Sequence, residues 1–334
     1  MPCFVGIDLG TGGAKACIVD DQGFVRGYAF AEFPLLHEHP GWSEHDAQAY
    51  WPIVCRLLHQ ALAQAGVAGG EIAGVACSSA MPCLVLVNRQ GQPVANAYNL
   101  MDRRAQQQVA RLYAQVGQER VFASIGNRLE DHPTLVNLMW ERDHRPALYA
   151  EVDCALTIDG YITMCLTGQR VIHRSGAAFY GCYDLRRGAW DSELLAQAGV
   201  REDLLPRLCL CSEIVGEVSS AAAAECGLAA GTPVAAGQVD CNAGWVGAGA
   251  TRVGDIQSNL GTVGNFGVVH QSLPFVYSDV GRLMINFPYT VDDTLVTVPS
   301  TMTGGQSIRY LKEAFGEAEM AAERLSGVSA YDQL

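Results

Sequence analysis

Residues 4–20 read Phe4-Val5-Gly6-Ile7-Asp8-Leu9-Gly10-Thr11-Gly12-Gly13-Ala14-Lys15-Ala16-Cys17-Ile18-Val19-Asp20. Phe4 to Ile7 is short and apolar. Gly10-Thr11-Gly12-Gly13 has the composition of a tight turn. Ala14 to Val19 resumes the run and ends at a second turn signal, Asp20-Asp21-Gln22-Gly23. The pattern predicts a β-hairpin followed by a third strand over Phe24–Ala31. A dinucleotide-binding unit differs, because there the first glycine turn opens a helix.

A second unit of the same kind begins near residue 255. Ile256-Gln257-Ser258-Asn259-Leu260 reads as a strand that ends in Gly261-Thr262-Val263-Gly264. Glycine has no Cβ and tolerates positive φ, so backbone N–H groups at such tips can approach a phosphate closely. Hydroxyls such as Thr11 and Thr262 add donors. One tip alone reads as an ordinary hairpin turn. Two tips, about 250 residues apart, point to a phosphate held between them. The candidates are Gly10, Thr11 and Gly12 at the first tip and Gly261, Thr262 and Gly264 at the second.

Two acids stand beside this pattern. Asp8 precedes the first tip, where a carboxylate makes sense if it holds Mg²⁺ through water; the plainer role is a turn cap. Asp240 follows the apolar strand Val234-Ala235-Ala236 and precedes a small-residue helix over Ala243–Ala250. It could accept a proton from a bound hydroxyl or cap that helix, and the residues alone leave the two readings even. Lys15 sits on a strand without the G-K-S/T context of a P-loop, so it is not counted among the catalytic candidates.

Between the two hairpins, residues 46–66 read as a helix capped by Asp46. Ile72–Cys77 and Cys83–Asn88 read as strands, and 102–117 as a helix. Residues 133–167 carry two helical stretches around Pro146, and 193–228 are helix-rich with a loop near 200–217.

At 334 residues the chain is long enough for two domains. The second hairpin sets the expected boundary, giving 1–253 and 254–334. No low-complexity linker marks it, so the domains should share a wide contact. Hydrophobic residues make up 49% and charged ones 17%, which excludes a disordered chain. The net charge of −13 argues against nucleic acid as a partner. No apolar run reaches 18 residues and the N-terminus lacks signal-peptide features, so a membrane is not expected and a cytoplasmic location is. Twelve cysteines without a C-x-x-C pair read as small buried hydrophobes. His37, His39, His45 and His132 form no metal-binding spacing.

Several further stretches carry a family resemblance that runs over essentially the whole chain. Gly6-Ile7-Asp8-Leu9-Gly10-Thr11 resembles the first phosphate motif of the FGGY carbohydrate kinases. Pro40-Gly41-Trp42-Ser43-Glu44 with Trp51, Asp102 with Arg104, and Leu166-Thr167-Gly168 are similar to that family's signatures. So are Trp190-Asp191, Leu204-Leu205-Pro206, Gly237 with Asp240, and Leu260-Gly261-Thr262 with Gly264. Within the family the xylulokinase-like group fits best. The resemblance implies an α/β protein of the actin/hexokinase type, with ribonuclease H-like domains. The first domain is complete and the second partial, because full-length members run well beyond Leu334. It further implies phosphorylation of a small sugar by ATP with Mg²⁺. Asp240 would be the general base, Asp8 the residue on the metal, and Met81, Asp102 and Asp240 the residues facing the sugar. The expected partner is a small-molecule sugar, and a homodimer is compatible with the reading.

Three positions depart from the xylulokinase pattern. Pro82 replaces a histidine after Met81, Leu100 replaces a tryptophan, and Cys241 replaces an asparagine after Asp240. Proline offers neither an imidazole nor an N–H, and leucine lacks the indole N–H. All three fall on the sugar side. The acceptor expected is therefore a ketopentose such as xylulose, a polyol, or a linear sugar derivative, an autoinducer-2-like diketone among them. The shortened nucleotide side keeps a second expectation open, a sugar-binding module without catalysis. An actin-like or chaperone-like ATPase is a weaker third, disfavoured by Trp42, Asp102, Arg104 and Asp240.

Overall fold

The structure is a computed structural model that describes residues 2–260, 264–291, 293–301 and 305–333. The first hairpin forms as the sequence indicates. Strand β1 (Cys3–Gly10) pairs antiparallel with β2 (Gly13–Asp20), which pairs with β3 (Val25–Glu32). In β1, Cys3, Val5, Ile7 and Leu9 are buried while the residues between them face the other way. Side chains alternate along a strand, so Asp8 is fixed on the face opposite the core. Lys15 and Cys17 of β2 share that outer face.

Asp46 accepts from the Gln48 N–H at 2.9 Å and caps a single 3₁₀ turn, Ala47–Ala49, leading into helix α1 (Tyr50–Ala65). Such a cap contributes about 1 kcal/mol. Val54, Leu57, Leu58, Ala61 and Leu62 recur at helical spacing and join Val5, Ile7, Leu9 and Ile18 in one buried cluster. Complete burial of Leu57 and of Leu58 contributes about 2 kcal/mol each. Gly66 ends the helix in the left-handed conformation.

After the short strand β4 (Glu44–His45) and helix α1, strand β5 (Ile72–Ser79) lies parallel to β1. The strand Pro233–Val239 lies parallel to β5, and Ile214–Glu217 closes the edge antiparallel. The six-stranded order is thus Ile214–Glu217, Pro233–Val239, β5, β1, β2, β3. A second sheet contains Ile256–Leu260, Gly264–His270, Leu295–Val298 and Ile285–Pro288. Its buried residues Val269, Phe287, Val296 and Val298 share one cluster with Leu112, Val136, Leu138 and Tyr180 of the first 253 residues.

Several sequence-derived boundaries move. The helix expected over 102–117 begins at Gln106, because the Asp102 and Arg104 side chains bind each other and hold a turn there. Residues 133–167 contain three helices, Thr134–His144, Pro146–Glu151 and Ile158–Thr167, with the strand Cys154–Leu156 among them. The loop near 200–217 holds the strands Arg207–Cys209 and Ile214–Glu217. The small-residue helix runs over Asp240–Gly247, three residues earlier than expected.

Candidate active site

The register of the first hairpin places Asp8 opposite Lys15. Their side chains meet, with Lys15 Nζ 2.8 Å from Asp8 Oδ2. The parallel pairing of β1 and β5 places Ser78 beside Asp8, and the Ser78 hydroxyl donates to Asp8 Oδ1 at 2.9 Å. Asp8 is therefore aimed by one residue on each neighbouring strand. The Asp8 hydrogen bond raises the Lys15 pKa despite burial, so the ammonium persists at every working pH.

Asp240 reaches the same region from the strand Pro233–Val239. That strand bulges between Ala235 and Gln238 against β5. Gly237 makes the bulge with φ +86°, and a Cβ there would lie 2.0 Å from the Cys77 carbonyl oxygen. Only glycine fits. The chain then turns into the helix Asp240–Gly247, whose N-cap is Val239. Asp240 is thus the first helical residue and not the cap, and its Oδ1 accepts from the Cys241 N–H at 2.6 Å.

Asp240 is half-buried, and its carboxyl is pushed up to about 6. Burial is the main cause, the negative charge of Asp8 adds to it, and Lys15 opposes it. Asp8, Lys15, Ser78, Gly237, Gln238 and Thr290 line one cavity of about 570 Å³. Thr290, from the second sheet's segment, hydrogen-bonds to Gln238 and closes one wall.

At the tip of the hairpin, a Cβ on Gly12 would meet nothing within 4 Å, so the space beyond it is open. The Gly12 carbonyl accepts from Phe33 N–H at 3.1 Å, which fixes the tip, with Gly10 and Thr11 beside it. Gly261 and Thr262 lie outside the described residues. The strands that flank them pair antiparallel with Leu260 opposite Gly264.

A separate cavity of about 520 Å³ is lined by Met81, Pro82, Leu100, Asn127 and Phe179 among others. Two of the three departures from the xylulokinase pattern, Pro82 and Leu100, form part of its wall. Asp102 does not line it, in contrast to the expectation that Asp102 faces the sugar. Its side chain is fully buried, Oδ2 accepts from Ser43 N–H and Arg104, and Oδ1 accepts from Arg104. Arg104 also bonds Glu44 at 2.6 Å and stacks on Trp42 at 3.7 Å and Tyr98 at 4.1 Å. The Trp42, Glu44, Asp102 and Arg104 motifs thus converge in one buried cluster that holds the loop carrying Leu100.

The residues fit Mg²⁺ brought by a nucleotide. Among the described residues no group of three His, Cys, Asp or Glu side chains forms a cage for a metal. Mg²⁺ at phosphate sites is held by one or two carboxylates together with phosphates and water, and Asp8 beside an open glycine tip supplies that. Lys15, set aside from the sequence, belongs to the site. Its signal was available, since residues equidistant from a hairpin tip pair across it. Ser78 and Thr290 carried none, because their placement depends on contacts between distant segments.

The six-stranded order Ile214–Glu217, Pro233–Val239, β5, β1, β2, β3, and a second sheet that begins with another hairpin, define an actin/hexokinase-type fold. The family model described as the FGGY family of carbohydrate kinases, N-terminal domain, matches residues 3–247. The chain belongs to this family. The autoinducer-2 kinase of Salmonella typhimurium is 30% identical over 98% of this chain and 62% of its own length. That of Klebsiella pneumoniae is 31% identical over 100% and 63%. The chain therefore spans under two thirds of the length of these curated relatives. The crystal structure of xylulose kinase from Rhodospirillum rubrum superposes with a TM-score of 0.88 at 28% identity, covering 97% of this chain and 65% of that one. Plasmodium falciparum glycerol kinase with ADP shares the fold, with a TM-score of 0.84 at 17% identity over 94% and 64%.

Proposed function

We propose that the chain carries the acceptor site and the catalytic base of an ATP-dependent kinase for a small sugar or linear sugar derivative. The observation that carries this reading is Asp240, a half-buried carboxyl raised to about 6 at the mouth of a bulged strand, in the field of Asp8 and Lys15. At pH 7 it is largely ionised, yet basic enough to take a proton from a hydroxyl.

Asp240 accepts the proton as the acceptor oxygen bonds to the γ-phosphorus. The bond from that phosphorus to the bridging oxygen breaks, and ADP leaves with the electron pair. Asp8 would hold Mg²⁺, which when bound neutralises phosphate charge. Lys15, held at 2.8 Å from Asp8, keeps a positive charge beside the transferring group. The N–H groups of Gly10, Thr11 and Gly12, with those of Gly261, Thr262 and Gly264, receive the phosphates. Met81 and Asp240 face the acceptor, while Asp102 acts at a distance by holding the Leu100 loop. Apolar Pro82 and Leu100 favour an acceptor with fewer hydroxyls than a ketopentose, in keeping with the autoinducer-2 kinases among the relatives. A cytoplasmic reaction fits the ATP requirement.

The test is acceptor-dependent ADP release with MgATP across ketopentoses, pentitols and linear diketone derivatives, with Asp240→Asn as control. The expected result is release with one class and a loss of at least about 100-fold in the variant. A second reading, an acceptor-binding module without turnover, predicts acceptor binding by calorimetry with no ADP release.

A further inference from the structure

Behind the Asp240 turn lies a buried polar chain that the proposed chemistry does not use. Asp159, on the helix Ile158–Thr167, is fully buried, as are His173, Ser175 and Ser79. Ser79, the last residue of β5, donates to Asp159 Oδ1 at 2.8 Å. His173 Nε2 lies 2.6 Å from Asp159 Oδ2. Burial disfavours the imidazolium and the Asp159 carboxylate favours it. The Gly176 nitrogen lies 2.9 Å from Nδ1. Nδ1 thus faces the Gly176 N–H, and Nε2 faces Asp159.

Ser175 Oγ lies 2.8 Å from the same Nδ1. Ser175 Oγ also accepts from the Val239 N–H at 3.4 Å and lies 3.5 Å from Cys211 Sγ. Val239 is the N-cap from which Asp240 projects. The short helix Arg174–Ala177, which carries Ser175, also approaches Met81, since a Cβ on Gly176 would lie 3.1 Å from Met81 Cε. A buried polar group this well satisfied fixes one geometry, because any other arrangement leaves a donor or acceptor unpaired.

We propose that Asp159, His173 and Ser175 are positioning residues, a buried hydrogen-bond chain that holds the Val239 turn and thereby aims Asp240 at the acceptor. This rests on the reading of Asp240 as the base. The chain acts through Val239 and touches neither acceptor nor nucleotide.

Amide hydrogen exchange on the 334-residue chain, without ligands, tests the hold directly, and steady-state kinetics test its consequence. Ser175→Ala is expected to speed exchange of the Val239 and Cys241 amides at least tenfold, with Val5 and Ile7 of β1 within twofold of the parent. Asp159→Asn should do the same through His173. Where turnover is measurable, kcat should fall about tenfold with the acceptor KM within twofold. Unchanged exchange at Val239 and Cys241, or exchange that rises equally across the whole sheet, overturns the proposal. If Asp240→Asn retains full turnover, the assignment of the base fails, while the exchange result still decides whether the turn is held.

Discussion

Lys15 Nζ lies 2.8 Å from Asp8 Oδ2, across an antiparallel pair in which the two residues are in direct register. The ion pair is half-exposed, with side-chain accessibilities of 45% and 32%, so its own contribution to stability is small. Its effect on Asp240 matters more. The Lys15 charge favours ionised Asp240 and the Asp8 charge opposes it. Lys15→Met is therefore expected to raise the Asp240 pKa, moving the acid limb of kcat/KM upward by roughly half a pH unit. A pH profile of ADP release in the variant checks this. A downward move would show that Lys15 does not act on Asp240.

The raised carboxyl also predicts a stability change of definite sign. Folded Asp240 binds its proton more tightly than an unfolded aspartate, whose pKa is about 3.9. Its penalty on the folded state is absent below about pH 4 and grows as pH rises to about 6. Asp240→Asn removes the penalty. The variant should be more stable than the parent at pH 7, by roughly 1–2 kcal/mol after allowance for partial solvation. At pH 4 the two should be nearly equal. Urea unfolding at both pH values measures the difference, and a variant less stable at pH 7 contradicts the burial argument.

The parts of the site that are local in sequence were readable in advance. The hairpin turn, the alternation that turns Asp8 away from the core, and the strand-to-helix change at Asp240 all follow from short-range pattern. The Lys15 partner follows from hairpin register. What was not readable depends on pairing between distant segments. Ser78 reaches Asp8 only because β5 docks parallel to β1, 70 residues away. The sugar-facing role expected of Asp102 came from the resemblance of Asp102 with Arg104 to the family signature, not from any local pattern. Nothing local revealed that Arg104, Ser43 and Trp42 enclose it.

Gly237 carries the next prediction. Its φ of +86° is costly for any L-residue, and its Cβ would collide with the Cys77 carbonyl at 2.0 Å. Gly237→Ala must flatten the bulge or push β5 aside. We expect a loss of about 2 kcal/mol or more. Because the bulge aims the following turn, turnover should fall further than the loss of folded protein explains. Thermal unfolding together with activity per folded molecule separates the two effects. Full activity at reduced stability would mean that the bulge has no part in aiming Asp240.

Asp102→Asn distinguishes a residue that binds the acceptor from one that supports the cavity wall. Asp102 is fully buried, and among the described residues the hydrogen bonds it accepts come from Arg104 and the Ser43 N–H. The asparagine keeps the shape but removes the charge opposite a buried guanidinium, which among the described residues retains Glu44 as its one anionic partner. A lost charge-assisted bond of this kind costs about 1–3 kcal/mol. The unfolding midpoint should therefore drop while the acceptor KM stays within twofold. A direct contact predicts the reverse, a KM raised at least tenfold with the midpoint unmoved. The enclosure of Asp102 by Arg104, Ser43 and Trp42 favours the first outcome, because a hydroxyl could reach the carboxylate only by displacing the guanidinium from both its acids.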